Sequence, residues 1–124
     1  MDAPRHRLLV VDDSNVIRRR IERANELPQI EFVGAARNGL EALEMHALLH
    51  PTLVTMDLTM PAMDGAECVA KLVQRDPRLR ILVISALADK LTAIDALEKG
   101  ASGFLCKPFS DRQLNDAMRK LIGT

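Results

Sequence analysis

The sequence predicts an α/β domain in which a parallel sheet is covered by helices on both faces. Three observations lead there. Short apolar runs alternate with longer amphipathic segments five times along the chain. The connections are short, and no linker, low-complexity tract or repeat interrupts them. The length, 124 residues, fits one compact domain spanning 1–124.

Taken in order, residues 8–11 (LLVV) form a first strand, continuously apolar as in strands buried on both faces. Ser14 or Asp13 caps the next helix, where Ile17, Ile21 and Ala24 recur at helical spacing. Leu27-Pro28 ends it. Residues 30–36 (IEFVGAA) read as a second strand. Asn38-Gly39 then turns into a helix marked by the spacing of Leu40, Leu43 and Ala47 and stopped at His50-Pro51. A third strand over 53–56 ends at Asp57 and leads into the loop LTMPAMDG.

The next helix, about 66–75, carries Val69, Leu72 and Val73 on one face. A fourth strand over 81–84 ends at Ser85. Residues 89–99 are helical, with Gly100 as the C-terminal stop. A short fifth strand, 103–106, precedes Lys107-Pro108. Ser110 and Gln113 suit a capping box for the last helix, whose inner face is Leu114, Ala117, Met118 and Leu121.

Composition excludes several classes. Seventeen basic residues balance 17 acidic ones, so no global field points to nucleic acid or an anionic membrane. With no Trp or Tyr and three Phe, base-stacking platforms are not expected. No apolar run approaches the roughly 20 residues of a membrane span, and no signal peptide is legible. Cys68 and Cys106 lack ligand spacing and read as reduced thiols of a cytoplasmic protein. Arg18, Arg19, Arg20 and Arg23 read as the wet face of the first helix, and His6, His46 and His50 as surface or helix-end residues.

The polar residues at the strand ends form the informative pattern. Asp12 and Asp13 come directly after the first strand, Asp57 ends the third, Ser85 succeeds the fourth and Lys107 the fifth. Parallel strands share a direction, so all lie at the carboxyl edge, where such sheets bind ligands. Three carboxylates in one cleft call for a compensating cation. Oxygen ligands without histidine or thiolate favour Mg²⁺, with Mn²⁺ as an alternative. A lysine and a hydroxyl suit the remaining oxygens of a phosphoryl group, and an aspartate can be its acceptor.

The segments VVDDS, MDLTMPAMDG, ISA and GASGFLCKPF, in this order, resemble the response-regulator receiver domain of two-component signalling, over nearly the whole chain. The resemblance implies a flavodoxin-like (βα)5 three-layer sandwich with strand order 2-1-3-4-5. It implies that Asp57 is the phosphoacceptor and that Asp13, Asp57 and the Thr59 backbone carbonyl bind Mg²⁺, with Asp12 acting through water. Lys107 would pair with Asp57 and the phosphoryl oxygens, and the Lys107-Pro108 bond would be cis. Ser85 and Phe104 would form the switch. Thr59 and Leu87 occupy positions that tune dephosphorylation in the family, and leucine has no group to orient a water, so a long-lived phosphoryl state is expected.

Implied partners are a sensor histidine kinase or phosphotransfer protein, and a downstream protein met by the fourth helix, fifth strand and fifth helix. That face includes Lys90, Asp95, Lys99, Phe104 and Arg112. The expected state is a monomer or a phosphorylation-dependent dimer, resembling stand-alone chemotaxis regulators. LVVDDSNVIRRRIERA and VGAARNGLEALE also resemble the receiver of the chemotaxis methylesterase. The alternative is a small phosphohydrolase working through an aspartyl phosphate. Haloacid-dehalogenase-type enzymes use Asp-x-Asp and a cap, whereas these aspartates are adjacent and no cap is expected. A nucleotide- or flavin-binding module is disfavoured because GxxxxGK[ST] and GxGxxG are missing.

Overall fold

Backbone pairing extends the apolar runs into five parallel strands. The computed structural model describes residues 6–59, 64–86 and 89–123. Its elements are β1 (His6–Val11), α1 (Asn15–Ala24), β2 (Ile30–Ala36), α2 (Gly39–Leu49), β3 (Leu53–Asp57), α3 (Gly65–Arg75), β4 (Arg80–Ala86), α4 (Lys90–Glu98), β5 (Gly103–Lys107) and α5 (Asp111–Ile122). The strand order is β2-β1-β3-β4-β5, all parallel. The chain therefore reverses its direction of winding between β1 and β3, which opens a crevice at their carboxyl ends.

Strand period two divides the core into two layers. On one face Leu9, Val11, Val54, Met56, Ile81 and Val83 meet Ala42, Val69, Leu72, Ala93 and Ala96 of α2, α3 and α4. On the other, Leu8, Val10, Leu53, Leu82 and Ile84 meet Ile21, Leu114, Met118 and Leu121 of α1 and α5. Every residue of β3 is buried. This explains why its sequence is continuous rather than alternating.

Four of the five helices begin on side-chain caps, α4 being the exception. Ser14 accepts from Ile17 N, Asn38 from Glu41 N and Asp64 from Ala66 N. Ser110 and Gln113 form the expected capping box. Gly100 has φ 117, the left-handed backbone expected of a helix stop, and packs against Val73.

Two sequence expectations are corrected and a third is narrowed. On α2, Leu40 is 53% exposed and Ala47 is exposed, while Ala42 and His46 are buried. Apolar residues surround this helix, so their spacing does not define its phase. Of the two placements expected for His46, surface or helix end, the structure gives the second: it lies in the last turn of α2, buried, with its Nε2 3.2 Å from Asp76 Oδ2 just after α3. The arginines of α1 are not uniformly wet. Arg18 donates to the Asp12 carbonyl at 2.7 Å, and Arg20 donates to the Phe109 carbonyl.

Candidate phosphoacceptor and metal site

Register brings the acidic residues together. Val11 of β1 pairs with Met56 of β3, so Asp12 and Asp57 leave adjacent strands at the same level. On the other side Asp57 pairs with Ile84, and Ala86 pairs with Lys107. One carboxylate oxygen each from Asp12, Asp13 and Asp57 lie within 4.8 Å of one another. Asp12 and Asp57 are both 2% exposed, whereas Asp13 faces solvent.

Each carboxylate is held differently. Asp12 Oδ1 accepts from Ser14 N at 2.8 Å, but its buried Oδ2 has no hydrogen-bond partner. Asp57 Oδ1 accepts from Thr59 N at 3.1 Å, Thr59 Oγ1 at 3.0 Å and Lys107 Nζ at 3.4 Å. Lys107 Nζ also stands 3.9 Å from Asp12 Oδ2. Burial, the largest cause, raises the Asp12 pKa, with the Asp57 and Asp13 charges adding to it; the Ser14 amide and Lys107 oppose the shift.

Among the described residues one lysine thus pairs with two of the three clustered carboxylates, and one buried carboxylate oxygen has no hydrogen-bond partner. That is an incomplete charge balance which a hard divalent cation would complete, and an all-oxygen donor set matches Mg²⁺.

The remaining expected residues are at the same edge. Ser85 is fully buried, and its hydroxyl donates to the Ala86 carbonyl at 3.3 Å. Phe104, on the outer strand β5, is 37% exposed. The Lys107-Pro108 bond is cis, as the resemblance implies. Leu87 lies outside the described residues, as do residues 60–63 of the LTMPAMDG loop.

Two supports are not legible in the sequence pattern. Arg18 braces the Asp12 turn through the main chain, and no sequence spacing announces such a contact. At Gly65, a Cβ would stand 2.7 Å from Leu58 Cα and 2.9 Å from the Asp57 carbonyl oxygen. The start of α3 therefore packs directly on the backbone of Asp57. The Asp64-Gly65 pair at a helix start is the available signal.

A parallel (βα)5 fold with this acidic cleft and lysine has the architecture of a phosphoacceptor-type signalling module. Residues 8–119 match the sequence model of the response regulator receiver domain, and the chain belongs to that family. It is 37% identical to the chemotaxis protein CheY of Listeria monocytogenes over 114 residues, covering 92% of this chain and 96% of that protein. It is 44% identical to the protein-glutamate methylesterase/protein-glutamine glutaminase of Pseudoalteromonas atlantica over 113 residues, covering 89% of this chain but only 30% of that protein. Among solved structures, the CheX-CheY-BeF3-Mg²⁺ complex of Borrelia burgdorferi superposes with a TM-score of 0.87 at 28% identity, covering 94% of this chain and 89% of the matched one. Phosphoryl acceptance is general in this family. Among the described residues, no helix is long and apolar enough to cross a membrane.

Proposed function

We propose that this receiver accepts a phosphoryl group on Asp57 from the phosphohistidine of a histidine kinase or phosphotransfer protein, and so switches its protein partners. The observation that carries the reading is the placement of Lys107 Nζ 3.4 Å from Asp57 Oδ1, inside a cleft shared with Asp12 and Asp13. A carboxylate oxygen of Asp57 attacks phosphorus, and the P–N bond to the donor imidazole breaks. The electron pair returns to the imidazole nitrogen, leaving an acyl phosphate.

Mg²⁺ would be held by Asp13, Asp57 and the Thr59 carbonyl, with Asp12 acting through water; when bound it supplies neutralisation of the phosphoryl oxygens. Lys107 holds a further phosphoryl oxygen by a charge-assisted hydrogen bond. The Ser85 hydroxyl leaves the Ala86 carbonyl for the phosphate, and Phe104 turns into the vacated space. This shifts a two-state equilibrium of the face made by α4, β5 and α5, which includes Lys90, Asp95, Lys99, Phe104 and Arg112. The cytoplasm suits such a relay.

Beryllofluoride with Mg²⁺ tests the reading, because it stands in for the phosphoryl group on the aspartate. Titration followed by amide NMR should shift residues around Asp57, Ser85 and Phe104, and Asp57→Asn should abolish the response. The same shifts in Asp57→Asn would overturn it. Stoichiometric labelling from acetyl phosphate is expected; steady turnover of generic phosphate esters would instead identify a phosphohydrolase.

A further inference from the structure

We propose that Arg20 is a positioning residue for Lys107, clamping the segment after β5 onto α1 so that the lysine ammonium stays over Asp57. The proposal rests on the reading of Asp57 as phosphoacceptor.

Lys107 is the last residue of β5, an edge strand that among the described residues pairs only with β4, and Ala86↔Lys107 is the final pair of that ladder. The chain then passes through Pro108, which has no N–H to donate. The capping box anchors it again at Ser110. Between these points Arg20 grips the backbone from across the structure. Its Nη2 donates to the Phe109 carbonyl, and its guanidinium carbon sits 4.7 Å from the centroid of the Phe109 ring. The same Nη2 lies 3.7 Å from Asp111 Oδ1 in the first turn of α5. Phe109 itself is 4% exposed and packs in the core layer of α1 and α5.

The magnitudes identify which of these contacts matters. The Arg20–Asp111 pair is exposed, with side chains 40% and 61% accessible, and such pairs contribute little to stability. Donation to a carbonyl beside a buried ring, with the cation stacked on that ring, is geometrically demanding. It fixes where the backbone runs two residues after Lys107. With Arg18 on the Asp12 carbonyl, α1 then grips two of the three strand ends that carry the charges of the cleft. An exposed-looking basic run thereby becomes a brace for the site. Lysine would retain the charge near Asp111, but not the planar fork that stacks and donates together.

The test is a double-mutant cycle read by beryllofluoride affinity in saturating Mg²⁺, with Mg²⁺ affinity measured separately. Wild type, Arg20→Gln, Arg20→Lys, Lys107→Ala and Arg20→Gln/Lys107→Ala are compared by NMR after thermal melts confirm folding. Arg20→Gln should weaken beryllofluoride binding about tenfold, in line with the cost of misplacing a site group. Mg²⁺ affinity should stay within about twofold, because Asp12, Asp13 and Asp57 are untouched, and the Arg20→Gln effect should vanish when Lys107 is already alanine. Arg20→Lys should fall between wild type and Arg20→Gln. An undiminished effect in the Lys107→Ala background, or wild-type affinity in Arg20→Gln, would overturn the Arg20 assignment alone. If wild type itself fails to bind beryllofluoride, the phosphoacceptor reading falls and takes this assignment with it.

Discussion

Lys107 Nζ lies 3.4 Å from Asp57 Oδ1 although the two residues end strands on either side of β4. It is the cation that offsets two buried carboxylates, Asp57 and Asp12. Its own side chain is 29% exposed, so the loss on removal is smaller than for a fully buried pair. Lys107→Ala should therefore destabilise the metal-free protein by about 2 kcal/mol. Saturating Mg²⁺ should recover part of that. Urea unfolding with and without Mg²⁺ checks both; equal losses in the two conditions would contradict the charge-balance argument.

Asp12 behaves in the opposite sense. Burial raises its pKa, so the folded chain holds this proton at pH values where the unfolded chain has released it. In the absence of metal, this group's contribution to stability thus falls as pH rises from the ordinary carboxylate range through its folded pKa. Asp12→Asn removes that penalty and retains an oxygen for the Ser14 amide. It should stabilise the metal-free protein by about 1 kcal/mol, roughly 4 °C in Tm, while weakening Mg²⁺ binding. In wild type, Mg²⁺ affinity should decline as pH falls through the same window, because protons compete for the carboxylate.

Gly65 meets the backbone of Asp57 and Leu58. An added methyl at 2.7 Å from Leu58 Cα faces main chain, which cannot swing aside. Gly65→Ala should cost about 2 kcal/mol through overpacking and slow labelling from acetyl phosphate, since α3 or Asp57 must shift. Wild-type melting and labelling would show that the helix start yields without cost.

The phosphoryl state is expected to be long-lived, because leucine at position 87 cannot orient an attacking water. A decay time course in Mg²⁺ should show persistence over minutes and acceleration in Leu87→Glu. Decay within seconds, unchanged by that substitution, would refute the idea.

The thiols should separate. Cys68 is fully buried, and burial pushes its pKa up to about 11. Iodoacetamide at pH 8 should modify the half-buried Cys106 and leave Cys68 until the protein unfolds. Because an unfolded thiol releases its proton near 9.0 and Cys68 near 11, this group's contribution to stability should fall between those values.

Strands β1 and β3 are legible because burial on both faces demands unbroken apolar runs, and Asp12, Asp13, Asp57, Ser85 and Lys107 are legible because they terminate strands. Strand ends are less so: β4 reaches Arg80 and Ala86, and β5 includes Lys107, since backbone pairing continues past the apolar stretch. The phase of α2 is hidden by apolar residues on all its sides, which is why the spacing of Leu40, Leu43 and Ala47 marks the helix without giving its inward face. The arginines are hidden for another reason. A guanidinium at the end of a long stem chooses its partner in three dimensions, and the Phe109 carbonyl is 89 residues from Arg20.

The site draws Asp12 and Asp13 from the beginning of the chain, Asp57 from its middle and Lys107 from its end, and the last is delivered by a strand that among the described residues is zipped to one neighbour only. Peeling that outer seam would carry off the lysine and leave the three carboxylates in place. Cation capture and phosphoryl handling therefore need not be lost together on partial unfolding, and gentle denaturation offers a way to part the two without altering a single residue.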